Sequence, residues 1–207
     1  MNIAYNMDCL EAMKGMKDNE FDLAIVDPPY GVNINTSGTF FKEKYKVKSW
    51  DKEPPKQEYF NELFRVSKNQ IIWGGNYFFN MLGYCKCFLV WDKKISENMS
   101  FAMCEMAWTS FKNGAKIYYE TTKQQLRIHP TQKPVALYKW LLTNYAKQGD
   151  KILDTHLGSG SSRIACYDLG FDFVGYELDK DYFEAQEKRF TNHINQEALF
   201  TPEQINF

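Results

Sequence analysis

The stretch KILDTHLGSGSSRIACYDLGFDFVGYELD, residues 151–179, carries the pattern that decides the fold. An apolar run ends at Asp154, a loop with two glycines follows, helical spacing begins near Ser161, and a second apolar run ends at Glu177. A strand, a helix and a second strand in this order predict one βαβ unit, whose two strands lie parallel in a single sheet.

The loop of this unit has the composition of a ligand-binding turn. Gly158 and Gly160 allow a tight turn and a close approach to backbone N–H groups, and Glu177 follows at close to the roughly 20 residues typical of dinucleotide folds, where a carboxylate binds ribose hydroxyls. Arg163 stands where a third glycine is usual, and no G-K-[ST] triplet holds a triphosphate. A nucleoside without phosphates is therefore the favoured ligand, and a plain tight turn is the alternative.

The rest of the chain alternates strands and helices without repeats. Amphipathic spacing predicts helices at Lys56–Ser67 and Pro134–Ala146. Further short apolar runs predict strands at Ile3–Tyr5, Leu23–Val26, Ile71–Trp73, Phe88–Trp91, Met106–Phe111 and Ile117–Tyr119. This order predicts an α/β protein with a single doubly wound, mostly parallel sheet of about seven or eight strands and helices on both faces.

Length and composition limit the class of protein. At 207 residues with 44% hydrophobic content, the chain suits one domain spanning 1–207. The N-terminus lacks the pattern of an export signal and no apolar run approaches the roughly 18 residues of a membrane span, so we expect a cytoplasmic protein without membrane contact. Five cysteines without C-x-x-C pairs predict reduced core thiols and no metal site.

Positive charge is concentrated in two middle segments. Residues 31–56 contain six lysines against three acids, and residues 112–133 contain four lysines and one arginine against one acid, whereas residues 168–207 hold nine acids and three bases. This asymmetry favours contact with a polyanion, although an ordinary mixed surface remains an equal alternative. Residues 31–55 lack periodicity and are predicted to form a long mobile loop.

A second motif lies in FDLAIVDPPYGV, residues 21–32, where a predicted strand stops at Asp27. The two prolines fix the backbone and remove two N–H donors, which leaves the Asp27 carboxylate and the Pro28 carbonyl as rigid acceptors at the carboxyl end of a strand. Together with the ring of Tyr30, these acceptors suit a flat group with an NH2 donor, such as a nucleobase. A D-P-P turn that only closes a strand is the alternative.

This acceptor geometry has a chemical consequence. The lone pair of an aromatic amine is delocalised into its ring, so the amine is a poor nucleophile. Acceptors that bind its hydrogens push the nitrogen toward tetrahedral character and free the lone pair. A transferable electrophile is then required beside the acceptors.

The combined motifs resemble those of S-adenosylmethionine-dependent DNA amino-methyltransferases, in the permuted β group where D-P-P-Y precedes the glycine loop. NMDCLEAMKGMKDNEFDLAIVDPPYG (residues 6–31), RIHPTQKPVAL (127–137) and GYELDKDYFEAQEKRF (175–190) are similar to that group's segments in the same order. The resemblance covers nearly the whole chain and implies a Rossmann-like methyltransferase fold.

The resemblance implies roles for individual residues. The target amino group would be gripped and activated by Asp27, Pro28, Pro29 and Tyr30, with Tyr30 stacking on the base. The cofactor, S-adenosylmethionine, would contact Asp8, Cys9, Asp27, His129, Thr131, Lys133, Pro134, Asp154, Leu157, Gly158, Ser159, Gly160, Glu177 and Leu178. The family commonly has an aromatic ring where this chain has His156, for which we expect a packing or hydrogen-bonding role.

The implied activity is methylation of adenine N6 in a base flipped out of double-stranded DNA, within a restriction-modification setting. Cytosine N4 is the alternative target, because D-P-P-Y accompanies adenine only more often in that family, and a catalytically silent DNA- or cofactor-binding module is a further alternative. Residues 92–128 would form a short DNA-recognition segment. A homodimer remains open.

Overall fold

The computed structural model of the protein describes residues 1–32, 51–98, 102–121 and 127–199, with side chains described as far as residue 196. Its strands are β1 (Asn2–Tyr5), β2 (Phe21–Val26), β3 (Ser67–Trp73), β4 (Leu89–Asp92), β5 (Cys104–Thr109), β6 (Lys116–Tyr119), β7 (Lys151–Asp154) and β8 (Asp172–Tyr176). Its helices are α1 (Cys9–Lys14), α2 (Gln57–Val66), α3 (Phe79–Leu82), α4 (Val135–Tyr145), α5 (Ser161–Asp168) and α6 (Lys180–Leu199), with a 3₁₀ turn at Gly75–Tyr77.

The strands form one eight-stranded sheet in the order β1-β8-β7-β2-β3-β5-β4-β6. Five of the seven pairings are parallel, and only the two pairings of β5 are antiparallel. The predicted class, a mostly parallel α/β sheet with helices on both faces, is confirmed. The orientation of β5 was not predicted, because periodicity gives the positions of strands and not their direction.

Two apolar clusters cover the two faces of the sheet. One packs α4 and α5 against the sheet through side chains such as Leu141 and Ala165. The other packs α1 and α2 through Met13, Phe60 and Leu63, each of which has no exposed surface. Trp73, Trp91 and Trp108 belong to these clusters, as expected of tryptophans at strand positions.

The pairing of β2 with β7 positions the site. The two strands are parallel neighbours, with Leu23 opposite Ile152 and Ala24 opposite Leu153. Their carboxyl ends therefore lie side by side, and the segment that begins at Asp27 lies next to the glycine loop that follows Asp154. Two motifs separated by more than a hundred residues of sequence thus share one edge of the sheet.

Several sequence-based expectations concern segments that the structure describes only in part. Of the predicted loop 31–55, residues 33–50 lie outside the described residues. Of the predicted recognition segment 92–128, residues 99–101 and 122–126 lie outside them, and the remainder contains β5 and β6. Within the described ranges, none of the helices combines the length and apolarity that a bilayer crossing requires.

The expectation of core thiols holds only for some cysteines. All five are free; Cys87 and Cys166 are buried, whereas Cys104 is exposed. Cys104 begins β5, where side chains at the end of the strand leave the sheet and reach the surface.

Candidate active site

The D-P-P-Y segment lies at the rim of two cavities. Its four residues, Asp27 to Tyr30, all line the smaller cavity, which has a volume of about 240 Å³. Asp27 and Pro29 also line the larger cavity, of about 690 Å³. The segment that the sequence predicts as a rigid acceptor therefore lies at the carboxyl end of β2 and is open to both spaces.

Tyr30 is held from three sides. Its hydroxyl donates a hydrogen bond to Asp27 Oδ1 at 2.6 Å, and its ring stacks on Tyr77 with centroids 4.8 Å apart. A Cβ atom added to Gly74 would lie 2.2 Å from Tyr30 Cε1, so the ring needs a glycine there. The base that is expected to stack on Tyr30 must therefore displace Tyr77 or use the opposite face of the ring.

A chain of buried charges leads away from Asp27. Lys133 Nζ lies 2.5 Å from Asp27 Oδ2 and 2.8 Å from Glu105 Oε2, and Lys93 Nζ lies 2.7 Å from Glu105 Oε1. The side chain of Lys133 is only 2% exposed and that of Glu105 20% exposed. Two ammonium groups and two carboxylates thus alternate along the wall of the smaller cavity.

This alternation keeps Lys133 and Glu105 charged. Burial alone would lower the pKa of Lys133, but the carboxylates of Asp27 and Glu105 outweigh it and the pKa is raised. Burial would raise the pKa of Glu105, but Lys133 and Lys93 bring that pKa to about 2. Asp27 differs, because burial raises its pKa against the opposing charge of Lys133.

The larger cavity collects most of the predicted cofactor residues. Those that line it are Asp8, Cys9, Asp27, His129, Thr131, Lys133, Leu157, Gly158, Ser159, Glu177 and Leu178. Pro134, Asp154 and Gly160 do not line it. Pro134 caps the start of α4, Asp154 is buried below the loop, and Gly160 packs against Gln186.

Two carboxylates hold the glycine loop in place. Asp154 Oδ1 accepts the His156 N–H at 3.0 Å and its Oδ2 accepts the Ser162 hydroxyl at 2.5 Å. Glu177 Oε2 accepts the Gly158 N–H at 2.8 Å. Burial raises the pKa of Asp154 to about 7 and raises that of Glu177 as well. Glu177, the expected ribose ligand, therefore also fixes the backbone of the turn.

The two histidines of the larger cavity are neutral. Burial lowers the pKa of His129 to about 3 and that of His156 to about 4. The Nδ1 atom of His129 accepts the Thr131 N–H at 3.3 Å. His156 lies 2.9 Å from the Thr155 hydroxyl and makes an edge contact with the ring of Tyr59 at 5.3 Å. His156 therefore packs and forms hydrogen bonds, as expected.

Several residues of both cavities escaped the sequence reasoning. In the larger cavity they are Met7, Gln132, Tyr138, Thr155, Asp179, Lys180 and Tyr182. In the smaller one they include Asp51, Tyr77, Lys93 and Glu105, whereas Asn76 belongs to W-G-G-N (residues 73–76), whose paired glycines indicate a close approach at the base pocket or a turn after a strand. Gln132 lies inside the H-P-T-Q-K-P motif and Gly74 inside W-G-G-N, so these two segments carried a usable signal. Glu105 gave none, because a single acid just before the predicted strand Met106–Phe111 would ordinarily face solvent.

The polar groups of the larger cavity fit a cationic nucleoside. Its carboxylates belong to Asp8, Asp27, Glu177 and Asp179. Carboxylates accept hydrogen bonds from ribose hydroxyls and attract a sulfonium, whereas they repel phosphates. The volume of about 690 Å³ lies within the range of small-molecule sites. The residues present therefore fit S-adenosylmethionine.

The two cavities share a wall. Asp27, Pro29, Thr131 and Lys133 line both of them. A group bound in the smaller cavity and one bound in the larger cavity would meet at Asp27. This arrangement suits transfer of a small group between two bound molecules.

Comparisons with known proteins agree with this geometry. A family model described as DNA methylase matches residues 90–188, which include β5, the H-P-T-Q-K-P motif and the glycine loop. The type II methyltransferase M.HpaI of Haemophilus parainfluenzae is 24% identical over 240 aligned residues, which cover 91% of this chain and 74% of the relative.

Solved structures of methyltransferases have a similar fold. The M1.HpyAVI complex with S-adenosylmethionine is 22% identical with a TM-score of 0.64 and covers 91% of this chain and 98% of that one. The cytosine-N4-specific PvuII DNA methyltransferase is 12% identical with a TM-score of 0.63 and covers 95% and 92%, respectively. Together with the family match over residues 90–188, these similarities support an amino-methyltransferase, and the solved structures show that the chain has the fold of such enzymes.

Proposed function

We propose that the protein methylates the N6 amino group of adenine in a base flipped out of double-stranded DNA. The position of Asp27 carries this proposal, because its carboxylate lies in the shared wall of the two cavities. The D-P-P-Y sequence supports adenine, since within the family it accompanies adenine more often than cytosine.

The smaller cavity would receive the target base. Asp27 and the Pro28 carbonyl would accept its two amino hydrogens, and Tyr30 would stack on its ring, a contact worth about 1–3 kcal/mol. Pro29 would keep these acceptors stiff, because it fixes the backbone and has no N–H of its own. The hydrogen bond from Tyr30 to Asp27 Oδ1 orients the carboxylate before the base arrives.

The larger cavity would hold S-adenosylmethionine, which supplies the electrophilic methyl group. Glu177 would accept hydrogen bonds from the ribose hydroxyls, while Asp8, Cys9 and Leu178 would border the adenine ring. His129, Thr131, Lys133 and Pro134 would lie on the methionine side. The loop residues Leu157, Gly158 and Ser159 would contact the cofactor directly, and Asp154 and Gly160 would support the loop from below.

The residues of the shared wall would align the reaction. S-adenosylmethionine would supply the methyl carbon to the amino nitrogen, its sulfur would leave as a neutral thioether, and the nitrogen would then release one proton to water. Asp27 and Pro28 would stabilise the positive charge that grows on the nitrogen. Holding both groups in line across this wall supplies the proximity that such a transfer needs.

Double-stranded DNA would lie across the basic segments 31–56 and 112–133, and residues 92–128 would contribute to sequence recognition. The loop 31–55 would close over the flipped base or contact the backbone. Raising the salt concentration should weaken DNA binding steeply if these lysines contact phosphates. A second copy of the chain would enlarge a recognition surface that is short in one copy.

Cytosine N4 is the second candidate target, and the fold of the cytosine-N4-specific PvuII enzyme favours keeping it. Expression of the gene in a methylation-free host, followed by nucleoside analysis of the DNA, separates the candidates. N6-methyladenine supports the proposal and N4-methylcytosine replaces it with the alternative. Absence of both, with no transfer of labelled methyl to any DNA by the purified protein, leaves a silent binding module.

Replacement of Asp27 by alanine tests the mechanism. We expect Asp27→Ala to lower kcat by at least about a thousandfold, because the target nitrogen loses an acceptor, while the Kd for S-adenosylmethionine changes less than about threefold. Asp22→Ala is the matched control, since Asp22 is the second residue of the same strand and accepts hydrogen bonds from Lys68 and from the Lys151 N–H at the opposite end of that strand. Equal loss of cofactor binding and activity in Asp27→Ala would make Asp27 architectural.

A further inference from the structure

Asp51 is buried beside the D-P-P-Y segment although 20 residues of sequence separate them. Its residue is only 4% exposed, and its Oδ1 atom accepts the N–H groups of Tyr30 at 2.8 Å and of Gly31 at 2.9 Å. Asp51 is not part of any motif that the sequence analysis used.

The two N–H groups form a natural partner for a carboxylate. Pro28 and Pro29 have no N–H, so Tyr30 and Gly31 are the first backbone donors after Asp27. Gly31 has a φ of +76°, and consecutive N–H groups around a left-handed residue form a concave site that attracts an anion. Asp51 fills this site from within the protein.

A second contact reinforces the same junction. A Cβ atom added to Gly31 would lie 2.7 Å from Pro54 Cδ, so the backbone of Gly31 passes closely over Pro54. The chain on either side of residues 33–50 is therefore joined at two points, by Asp51 and by Pro54. Asp51 and Pro54, which follow residues 33–50 in the sequence, therefore fix the end of the D-P-P-Y segment.

The geometry points to Asp51 as a positioning residue for methyl transfer, acting on the target nitrogen through Tyr30. With its backbone fixed, Tyr30 is positioned so that its hydroxyl donates a hydrogen bond to Asp27 Oδ1 and its ring packs against Gly74. The orientation of the acceptor carboxylate thus depends on Asp51. This inference rests on the proposed methyltransferase function and adds to it a residue outside the D-P-P-Y motif.

Substitution of Asp51 tests the inference with steady-state kinetics, cofactor titration and 2-aminopurine fluorescence at the target base. We expect Asp51→Asn to lower kcat at least about tenfold, because a neutral acceptor holds two N–H groups more weakly than a charged one. Asp51→Ala should lower kcat by more than Asp51→Asn does. In both variants the Kd for S-adenosylmethionine should change less than about twofold, and the 2-aminopurine signal of the bound base should fall.

Asp150→Asn is the matched control, because Asp150 accepts the Lys147 N–H at 2.8 Å in a loop far from both cavities. Its kcat should stay within about twofold of the wild-type value.

The inference is overturned if Asp51→Asn resembles this control, or if kcat and cofactor affinity fall in parallel. If Asp51→Asn does not fold, Asp51→Glu, which keeps the charge but misplaces it, has to meet the same criteria. A wild-type protein without transferase activity rejects the proposed function itself, whereas an active wild type with an indifferent Asp51 rejects only this inference.

Discussion

At the scale of single residues, the contact between Gly74 and Tyr30 controls the shape of the target pocket. Gly74 has a φ of +71°, and its backbone lies so close to the Tyr30 ring that no side chain fits between them. The next residue, Gly75, also lies close to Trp108, where an added Cβ atom would be 2.6 Å from the backbone nitrogen. The paired glycines of W-G-G-N therefore let the pocket wall approach the D-P-P-Y segment.

Replacement of Gly74 by alanine should distort this wall. The new Cβ atom would strain the backbone and push the Tyr30 ring, so we expect Gly74→Ala to reduce kcat at least about tenfold and stability by roughly 1–3 kcal/mol. Gly114→Ala is the control, because no atom lies within 4 Å of its added Cβ atom. Activity assays and urea unfolding measure both effects, and equal behaviour of the two variants would contradict the argument.

Sequence alone predicted the candidate residues whose placement depends on local pattern. The acceptors at Asp27 and Pro28 and the turn at Gly158 follow from strand ends, prolines and glycines, which act within a few residues of sequence. The same reasoning missed Glu105 and Tyr77, because their roles arise from packing between segments that are distant along the chain. It also placed Asp154 at the cofactor, whereas the carboxylate supports the loop from below.

At the scale of elements, the antiparallel strand β5 brings Glu105 to the pocket. Neighbouring strands β3 and β4 both pair with β5, so its position in the sheet is fixed on both sides. Glu105 then lies between Lys133 and Lys93. The strand thus joins the H-P-T-Q-K-P segment to the target pocket through one carboxylate.

Replacement of Glu105 by glutamine should therefore leave Lys93 without the carboxylate that it pairs with, and Lys133 with that of Asp27 alone. We expect Glu105→Gln to cost about 3 kcal/mol of stability, because breaking a buried ion pair leaves an uncompensated charge. Lys68→Met is the control, since the side chain of Lys68, which pairs with Asp22, is 54% exposed; water screens this pair, and its loss should cost much less stability. Chemical denaturation measures the free energy of unfolding of both variants. Similar losses of stability in the two would contradict the expectation that the ion pairs of Glu105 matter more than that of Lys68.

Elements were predicted more completely than the links between them. The predicted helix at Lys56–Ser67 is observed as Gln57–Val66, and that at Pro134–Ala146 as Val135–Tyr145, because amphipathic spacing reports directly on the buried face. The direction of β5 and its place between β3 and β4 were not predicted. Strand order depends on long-range pairing, which hydrophobic periodicity does not encode.

At the scale of the whole molecule, stability should depend on pH through buried groups of opposite sign. The pKa of His129 is lowered to about 3, so its contribution to stability is present above about pH 6.5 and is lost as pH falls toward 3. The pKa of Asp154 is raised to about 7, so its contribution is present below about pH 4 and is lost as pH rises through 7.

Two variants separate these contributions. Between pH 7.5 and pH 5, His129→Gln should show a smaller loss of stability than the wild type, by about 1–2 kcal/mol, because no imidazole has to remain neutral in the core. Asp154→Asn should show a larger loss, because the stabilising proton uptake of the carboxyl group is absent. Urea midpoints at the two pH values measure the difference. Identical pH profiles of stability in the wild type and both variants would mean that groups other than His129 and Asp154 cause the pH dependence.

Because the two cavities share a wall, we expect binding in one to be thermodynamically coupled to binding in the other. Thr131 and Lys133 line both cavities. A molecule bound in one cavity therefore changes the electrostatic field and the free space that a second molecule meets in the other. By linkage, whatever factor the methyl donor imposes on DNA affinity, DNA imposes equally on the donor. Loss of the sulfonium charge on turnover would remove a cation from the donor side, so the spent cofactor and the methylated DNA would leave a pocket whose electrostatics differ from those that admitted them.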